Sequence, residues 1–180
     1  GHKQPRLIIP TDERRTTYLL SILNYGGTTV GRKDFEKIMG ENIEFSYPKP
    51  VILMKKLISS IANANDIILD FFSGSATTAQ AVLEVNKDLN KKHRYILVQL
   101  PEKCSADSNA KKVGYESICD IGEERIRRVG TKLQSENRML NSTLDIGFRV
   151  LKLDSSNMKD VYYNPGKLDQ NLFDDMIDNV

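Results

Sequence analysis

The stretch Asp66-Ile-Ile-Leu-Asp-Phe-Phe-Ser-Gly-Ser-Ala-Thr-Thr78 decides the fold of this chain. Its opening residues, Asp66–Asp70, predict a short, fully buried strand of the kind found in parallel sheets. A small-residue loop follows, and Thr77 to about Asn86 predicts a helix. The apolar run Tyr95–Gln99 predicts a second buried strand. Strand, helix and strand within about 35 residues predict a βαβ unit, with the right-handed crossover that such units almost always have.

Helices and a third strand are predicted on either side of this unit. Before it, Arg32–Met39 and Val51 to about Ala62 predict helices, and Pro50 suits the start of the second because proline loses nothing at the first helical position. After it, Tyr115–Leu133 predicts a long amphipathic helix, and the alternating residues Gly147–Leu153 predict a strand. Shorter helices are predicted around Thr16–Asn24, within Glu102–Lys112 and near Gln170–Ile177.

The composition is that of an ordinary globular domain. The 180 residues carry 26 basic and 24 acidic side chains, and the resulting net charge of +2 does not by itself indicate a nucleic-acid-binding protein. No apolar run approaches the roughly 20 residues that cross a bilayer. Cys104 and Cys119 lie in no metal-binding spacing. We therefore expect a protein of the reducing cytoplasm, with no membrane partner and no bound metal.

The loop that ends the first strand is the segment most suited to binding a ligand. It joins the carboxyl end of a strand to a helix, which is where open α/β sheets bind their ligands. Gly74 and its small neighbours let a ligand approach the backbone, and free N–H groups at the helix start favour a carboxylate or phosphate. Thr77 or Thr78 could instead cap the helix in a plain structural turn. The loop has neither the Gly-Lys-Ser/Thr of a Walker loop nor the glycine spacing of a nicotinamide-binding motif.

Four segments, in order, resemble one family. Asp70-Phe-Phe-Ser-Gly-Ser-Ala-Thr-Thr78 resembles the S-adenosylmethionine (AdoMet) motif D-x-F-x-G-S-G-T-T of amino-methyltransferases that act on DNA. Tyr47-Pro-Lys-Pro50 resembles the companion motif that precedes it in the permuted β-class. Tyr95–Glu102 with Gly122–Arg128, and then Leu144–Asn157, resemble the modification (Mod) subunit of type III restriction systems.

This resemblance implies a Rossmann-like AdoMet-dependent methyltransferase fold, a three-layer α/β architecture with a partial, permuted parallel sheet. It implies three regions: the end of an upstream target-recognition region or a linker at 3–46, the AdoMet-binding half at 47–155 and a tail at 156–180. The strands that normally follow on the catalytic side are missing, so the Asp66–Asp70 strand would have an exposed edge. We expect a second copy of the chain or residues 3–46 to cover it.

The resemblance also implies which residues hold AdoMet. They are Lys49, Pro50, Asp70, Phe71, Phe72, Ser73, Gly74, Ser75, Ala76, Thr77 and Thr78. The family usually places an acidic residue at the end of the second strand to bind the ribose hydroxyls, and either Gln99 or Glu102 could take that role. Ala76 replaces the second glycine of the family's loop, a change expected to narrow the pocket. The assignment requires parallel strands and loop amides that the protein's own side chains leave open.

The family's catalytic tetrapeptide, Asp/Asn-Pro-Pro-Tyr/Phe, occurs nowhere in the 180 residues. In the family it holds the flipped target base. The resemblance therefore implies a C-terminal fragment or split-gene product of a DNA adenine-N6 methyltransferase, inactive in isolation and without catalytic residues. Its implied partners are DNA, through the full-length protein, a restriction (Res) subunit and a second Mod subunit. A stand-alone, non-catalytic AdoMet-binding or scaffold module is the alternative, and a dehydrogenase nucleotide domain is disfavoured by the glycine spacing.

Two further groups of polar residues invite a functional interpretation. Arg125, Arg128 and Lys132 form a basic stripe on the long predicted helix. A solvated face paired with neighbouring glutamates is favoured there over contact with phosphate or with another subunit. His93 is expected to be a solvated turn residue, and with no second histidine nearby it predicts neither a metal site nor a catalytic triad.

Overall fold

The computed structural model describes residues 23–137 and 144–154. In chain order their helices and strands are α1 (Thr28–Met39), α2 (Val51–Ile61), β1 (Ile67–Asp70), α3 (Thr77–Leu89), β2 (Arg94–Leu97), α4 (Asn109–Lys112) and α5 (Ile118–Asn137). The helix predicted near Gln170–Ile177 lies outside the described residues. So does most of the one around Thr16–Asn24, of which only Leu23 and Asn24 are described, and neither is helical.

The two strands of the central unit pair in parallel, as predicted. Ile67 lies opposite Arg94 and Asp70 opposite Leu97, with α3 as the connection. Within the described ranges the sheet has these two strands alone. The prediction of a strand over Gly147–Leu153 is wrong, because the described residues 144–154 form neither helix nor strand. Alternating side chains do not suffice for a strand, which also needs a ladder of backbone hydrogen bonds to a neighbour.

The prediction of fully buried strands is also wrong for the described part of the chain. Ile68 and Tyr95 pack beneath α2 and α3. On the other face of the sheet, Ile67, Leu69 and Ile96 are about half exposed, at 49%, 50% and 51%. The described helices that pack on the sheet cover only one of its faces, so alternate residues along each strand stay accessible.

The chain divides into two compact units, 1–147 and 148–180. Within the described residues of the first unit, two apolar clusters contribute to the core. One cluster lies between α2, α3 and the sheet and contains Val51, Ile58, Ala81, Val82 and Val85. The other joins α1, α4 and α5 and contains Phe35, Met39, Ile43, Ala110 and Ile121. Helix α3 packs against both α2 and α5, and most of its residues are buried. The loop before α3 is therefore attached to a helix that is fixed on two sides.

Helix α1 fixes the path of the segment that leads into α2. Gly31 on α1 is buried, and a Cβ added to it would overlap the carbonyl oxygen of Pro48 and lie 2.7 Å from that residue's carbonyl carbon. Three residues later, Asp34 Oδ2 accepts a hydrogen bond from the backbone N–H of Val51 at 2.9 Å. A carboxylate there satisfies a free N–H group at the start of α2 and complements the helix dipole.

His93 is buried, so the prediction of a solvated turn residue is wrong. Its side chain lies in the interior and the residue is 6% exposed. Its backbone N–H donates to Asn86 Oδ1 at 2.9 Å, and its carbonyl accepts from Asn86 Nδ2 at 2.8 Å. This pair of bonds closes the turn from α3 into β2. Desolvation lowers the pKa of the His93 imidazole, and the positive charge of Lys91 lowers it further.

Candidate functional site

The loop between β1 and α3 contains two residues in the left-handed conformation. Gly74 has a φ of +51° and Ala76 a φ of +59°. An L-residue such as alanine adopts this region at a cost of about 1–2 kcal/mol, because Cβ approaches the following carbonyl oxygen. Ala76 is the residue that precedes α3, and no side chain caps the helix there. The alternative in which Thr77 or Thr78 caps the helix is therefore wrong.

Asp70 ties the end of β1 to the start of α3. Its Oδ1 accepts from the backbone N–H of Phe72 at 3.1 Å, and its Oδ2 accepts from the Thr78 hydroxyl at 2.5 Å. Its backbone carbonyl accepts from the N–H of Val98, which extends the parallel ladder by one bond beyond β2. The carboxylate thus bridges the two ends of the loop, which limits how far they can separate.

Gln99 binds the loop from the end of the neighbouring strand. Its Oε1 accepts from the backbone N–H of Gly74 at 2.7 Å, while its Nε2 donates to the carbonyl of Leu100 at 3.2 Å. Together with Asp70, it occupies two of the loop amides, so the expectation that they stay open fails at Phe72 and Gly74. The backbone N–H groups of Thr77 and Thr78 make no hydrogen bond within the described part of the chain.

Arg125 is fully buried, so the predicted solvated stripe is wrong at this position. Its Nη1 donates to the carbonyl and hydroxyl oxygens of Ser75 at 3.0 and 2.9 Å and to the Thr77 hydroxyl at 2.9 Å. Its Nε donates to Gln80 Oε1 at 2.9 Å. A sequence signal existed, since position 125 falls on the apolar stripe of α5, whose buried members are Gly122, Ile126, Val129 and Leu133.

The other two members of the stripe lie nearer the surface. Arg128 is exposed and donates to Glu124, as the solvated interpretation predicts, and it also donates to the carbonyl of Met39 at the end of α1. Lys132 is half-buried. The three basic residues therefore do not form one surface.

The guanidinium of Arg125 is buried without a direct counter-ion. In the described ranges no carboxylate lies within ion-pair distance of it, and its Nη2 has no hydrogen-bond partner. Desolvation lowers the pKa of Arg125 to about 10, and the more distant charges of Asp34 and Glu84 oppose that shift. The side chain is still a cation at neutral pH.

Two aromatic rings connect this cation to the other side of the loop. The Arg125 Cζ lies 5.4 Å from the ring centroid of Phe35, a cation–π distance. Phe35 and Phe45 are 5.6 Å apart between centroids. The ring of Phe45 in turn lies 3.5 Å from the position that a Gly74 Cβ would occupy. The segment before Tyr47 thus contacts the loop, an arrangement that the sequence did not predict.

The predicted AdoMet residues fall on two sides of the loop. Four of them face the interior: Ser75, Ala76, Thr77 and Thr78. A Cβ added to Gly122 on α5 would lie 3.5 Å from the Ala76 methyl, so that methyl points into the core and does not narrow a pocket on the outer side. The outer side carries Phe71 and Phe72, which are 63% and 90% exposed.

The remaining predicted residues lie beside the loop or away from it. Pro50 is buried at the start of α2. Lys49 is exposed and makes no hydrogen bond or ion pair with the loop among the described residues. The carboxylate of Glu102 is exposed, while its backbone carbonyl accepts from the N–H of Ile118 at the start of α5.

No metal site or membrane span is found in the part of the chain that the structure describes. No three side chains of the His, Cys, Asp and Glu types come close enough together there to hold a metal ion. None of its helices is both long and apolar enough to cross a bilayer.

Comparison with known proteins identifies relatives of this chain. Residues 20–129 match a protein-family model described as DNA methylase. The chain is 37% identical over 126 residues to the type III restriction-modification enzyme StyLTI Mod subunit of Salmonella typhimurium, 34% over 136 residues to the EcoP15I Mod subunit of Escherichia coli and 32% over 124 residues to the EcoPI Mod subunit of Escherichia phage P1. These matches cover 70%, 75% and 69% of this chain. The chain spans 19% of the length of each relative. These matches confirm the predicted resemblance to Mod subunits.

Proposed function

Since the chain belongs to the DNA methylase family, we propose that it is the AdoMet-binding portion of a site-specific DNA methyltransferase. The complete enzyme would transfer a methyl group to adenine N6 in a restriction-modification system, acting on DNA in the cytoplasm. The observation that carries this proposal is the loop 70–78, which follows the carboxyl end of a parallel strand and runs through two left-handed residues into the start of α3.

Membership of this family also bears on the part of the fold beyond the described strands. We propose a Rossmann-like, three-layer architecture in which β1 and β2 are part of a larger, permuted parallel sheet. Two observations support it: β1 has one edge free of any strand in the described ranges, and the half-exposed face of the sheet is apolar. Parallel sheets normally carry helices on both faces, so such a face fits a layer contributed from elsewhere.

The residues of the loop suit AdoMet, judged by their chemistry. The sulfonium nucleoside combines an aromatic base, a ribose and an amino-acid carboxylate. Phe71 and Phe72 present aromatic surface beside the loop. The N–H groups of Phe72 and Gly74 are occupied, but those of Thr77 and Thr78 at the start of α3 have no hydrogen-bond partner in the described residues and favour a carboxylate. AdoMet supplies the electrophilic methyl group, and the residues of this chain hold and orient it. Lys49 and Pro50 would bound the site from the segment before α2.

Of the two residues proposed to bind the ribose, the structure favours Glu102. Both the oxygen and the nitrogen of the Gln99 side chain are already hydrogen-bonded within the chain. Glu102 retains an exposed carboxylate, which accepts two hydroxyl hydrogen bonds well. We therefore assign the ribose contact to Glu102 and a loop-supporting role to Gln99.

Titration calorimetry of the chain with AdoMet and with NAD tests the proposal. We expect weak binding of AdoMet, since the rest of the site belongs to the complete enzyme, and no binding of NAD. Glu102→Gln should weaken AdoMet binding by about tenfold, because a neutral amide accepts the ribose hydrogen bonds less strongly. Asp107→Asn is the matched control, an exposed acidic residue before α4, and should leave affinity unchanged. Equal binding of NAD would refute the assignment of AdoMet as the cofactor. Unchanged AdoMet affinity of Glu102→Gln would refute the ribose contact.

The partners of the complete enzyme follow from the same relatives. Those relatives are Mod subunits of type III restriction-modification enzymes. We propose DNA, a Res subunit and a second Mod subunit as the partners. One observation favours the alternative of a non-catalytic AdoMet-binding module, namely that the sequence contains no Asp/Asn-Pro-Pro-Tyr/Phe. The gene sequence upstream of Lys3 distinguishes the two. Codons for Asp/Asn-Pro-Pro-Tyr/Phe in the same reading frame would support the methyltransferase, and an initiation codon directly before Lys3 would support the module.

A further inference from the structure

We infer that Arg125 is a positioning residue, which holds the turn before α3 in the shape that receives the ligand. That the ligand is AdoMet rests on the proposed function. The bracing of the turn itself rests only on the contacts of Arg125.

Among the described residues, the side-chain hydrogen bonds of Arg125 all go to one short segment. They reach Ser75 on one side of the left-handed Ala76, and Thr77 and Gln80 on the other side. The left-handed conformation is unfavourable for an alanine, and contacts on either side of it must offset that cost. The guanidinium fork clasps the residues before and after Ala76 together, so it imposes the conformation directly. Charged donors make the stronger hydrogen bonds, which suits this task.

The burial of Arg125 argues against an ordinary packing role. Burying a charge is costly, and an apolar side chain of similar volume often stabilises a core as well or better. In the described residues the cation has no carboxylate at ion-pair distance that would offset this cost. Its direct contacts are with the oxygens of Ser75, Thr77 and Gln80 and with the face of Phe35, and the more distant charges of Asp34 and Glu84 add to them. The residue type is therefore matched to the turn and not to the core around it.

The same cluster braces the turn from its second side. Phe35 lies between the guanidinium and Phe45. The ring of Phe45 lies beside Gly74, on the side where a Cβ would be. The two left-handed residues are consequently held by one connected group, with the cation behind Ala76 and the ring beside Gly74. Loss of the cation should release the turn at its α3 end first.

Amide hydrogen exchange of the full chain tests the bracing without any ligand. The variants are Arg125→Lys, which keeps the charge but loses the fork, and Arg125→Met, which keeps an unbranched apolar stem but loses both. Arg128→Met is the matched control, an arginine on the same helix that contacts Glu124 and Met39 instead of the turn. We expect exchange at the hydrogen-bonded amides within residues 74–80, those of Gly74, Ala76 and Gln80, to accelerate at least about tenfold in both Arg125 variants, with β1 and β2 unchanged, and no such pattern in Arg128→Met. Unchanged exchange over 74–80, or uniform acceleration along the chain, would overturn the inference.

A milder variant keeps the test decisive if the Arg125 variants do not fold. Thr77→Val removes one acceptor of the fork and leaves the arginine in place. The same local acceleration over residues 74–80, smaller in size, is expected there. Its absence would count against the bracing of the turn.

A ligand comparison separates this inference from the proposed function. AdoMet and 5′-methylthioadenosine share the nucleoside, but the second lacks the amino-acid carboxylate that the start of α3 would bind. Arg125→Lys should weaken AdoMet binding by at least about tenfold and methylthioadenosine binding by less than about twofold. Equal losses for both would refute a positioning role at the helix start. Should the parent chain bind neither compound, the proposed function fails while the exchange result still decides the role of Arg125.

Discussion

Replacement of Gly31 by alanine tests whether α1 and the segment before α2 are in contact. Alanine is the better helix former, and exchanging an interior helical glycine for it is by itself favourable by about 1 kcal/mol. Here the new methyl group would overlap the carbonyl oxygen of Pro48 and lie 2.8 Å from the carbonyl carbon of Lys49. These are backbone atoms, so no side-chain rotation relieves the overlap. The segment must retreat by roughly 1 Å.

Two losses follow from that retreat. The hydrogen bond from the Val51 N–H to Asp34 is stretched past its useful range, which costs about 1–2 kcal/mol for a helix-capping carboxylate. The packing of Phe35 and Met39, both on α1, loosens as well, and losing part of the burial of two such side chains costs about 1–2 kcal/mol. Set against the gain in helix propensity, the net destabilisation is about 2 kcal/mol. The overlap outweighs the propensity.

Urea unfolding of Gly31→Ala measures this directly. Gly27→Ala is the control, since an added Cβ there meets nothing within 4 Å and the change should cost less than about 1 kcal/mol. In the double variant with Asp34→Ala the losses should not add, because the capping bond is already broken. Stability equal to or above that of the parent chain would show that α1 does not approach the Pro48 carbonyl.

Two other outcomes are expected. Because the pKa of His93 is lowered in the folded state, its stabilising contribution is complete above the unfolded pKa of about 6.5 and is lost as the pH falls below it, where the unfolded state takes up the proton first. The drop in unfolding free energy from about pH 7.5 to about pH 5.5 should therefore be smaller in His93→Asn than in the parent chain. Equal drops in the two proteins would contradict this. Phe72→Ala should change the unfolding free energy by less than about 0.5 kcal/mol, because Phe72 is 90% exposed. The same variant should weaken AdoMet binding measured by calorimetry. A large loss of stability, or unaltered binding, would contradict an outward-facing ligand contact.

Local patterns predicted the central unit well. The apolar runs that end at Asp70 and begin at Tyr95, with the helix between them, formed the expected parallel pair, because short apolar runs around an amphipathic helix have few other ways to pack. The same patterns failed at Gly147–Leu153, where strand formation depends on a neighbour and not on the segment itself. They failed again over the burial of β1 and β2, which depends on what covers the sheet.

The contacts inside the loop 70–78 could not be predicted from the sequence. The loop 70–78 could be recognised from its small residues and its resemblance to a known motif. Its hydrogen bonds to Gln99 and Arg125 join residues 25 and 48–50 positions apart, and no local pattern encodes such contacts. A basic residue on the apolar stripe of α5 was the one available sign that Arg125 points inward.

The contact between Arg125 and Thr77 spans 48 residues, which orders events while the protein is being made. A ribosome releases the chain from its amino end, so β1, α3 and β2 emerge and can pair before α5 has left the exit tunnel. During that interval Ala76 has no cation behind it. A nascent chain halted before α5 has emerged would carry a paired sheet with a turn that lacks its Arg125 contacts. The turn acquires its final shape only when position 125 has left the tunnel.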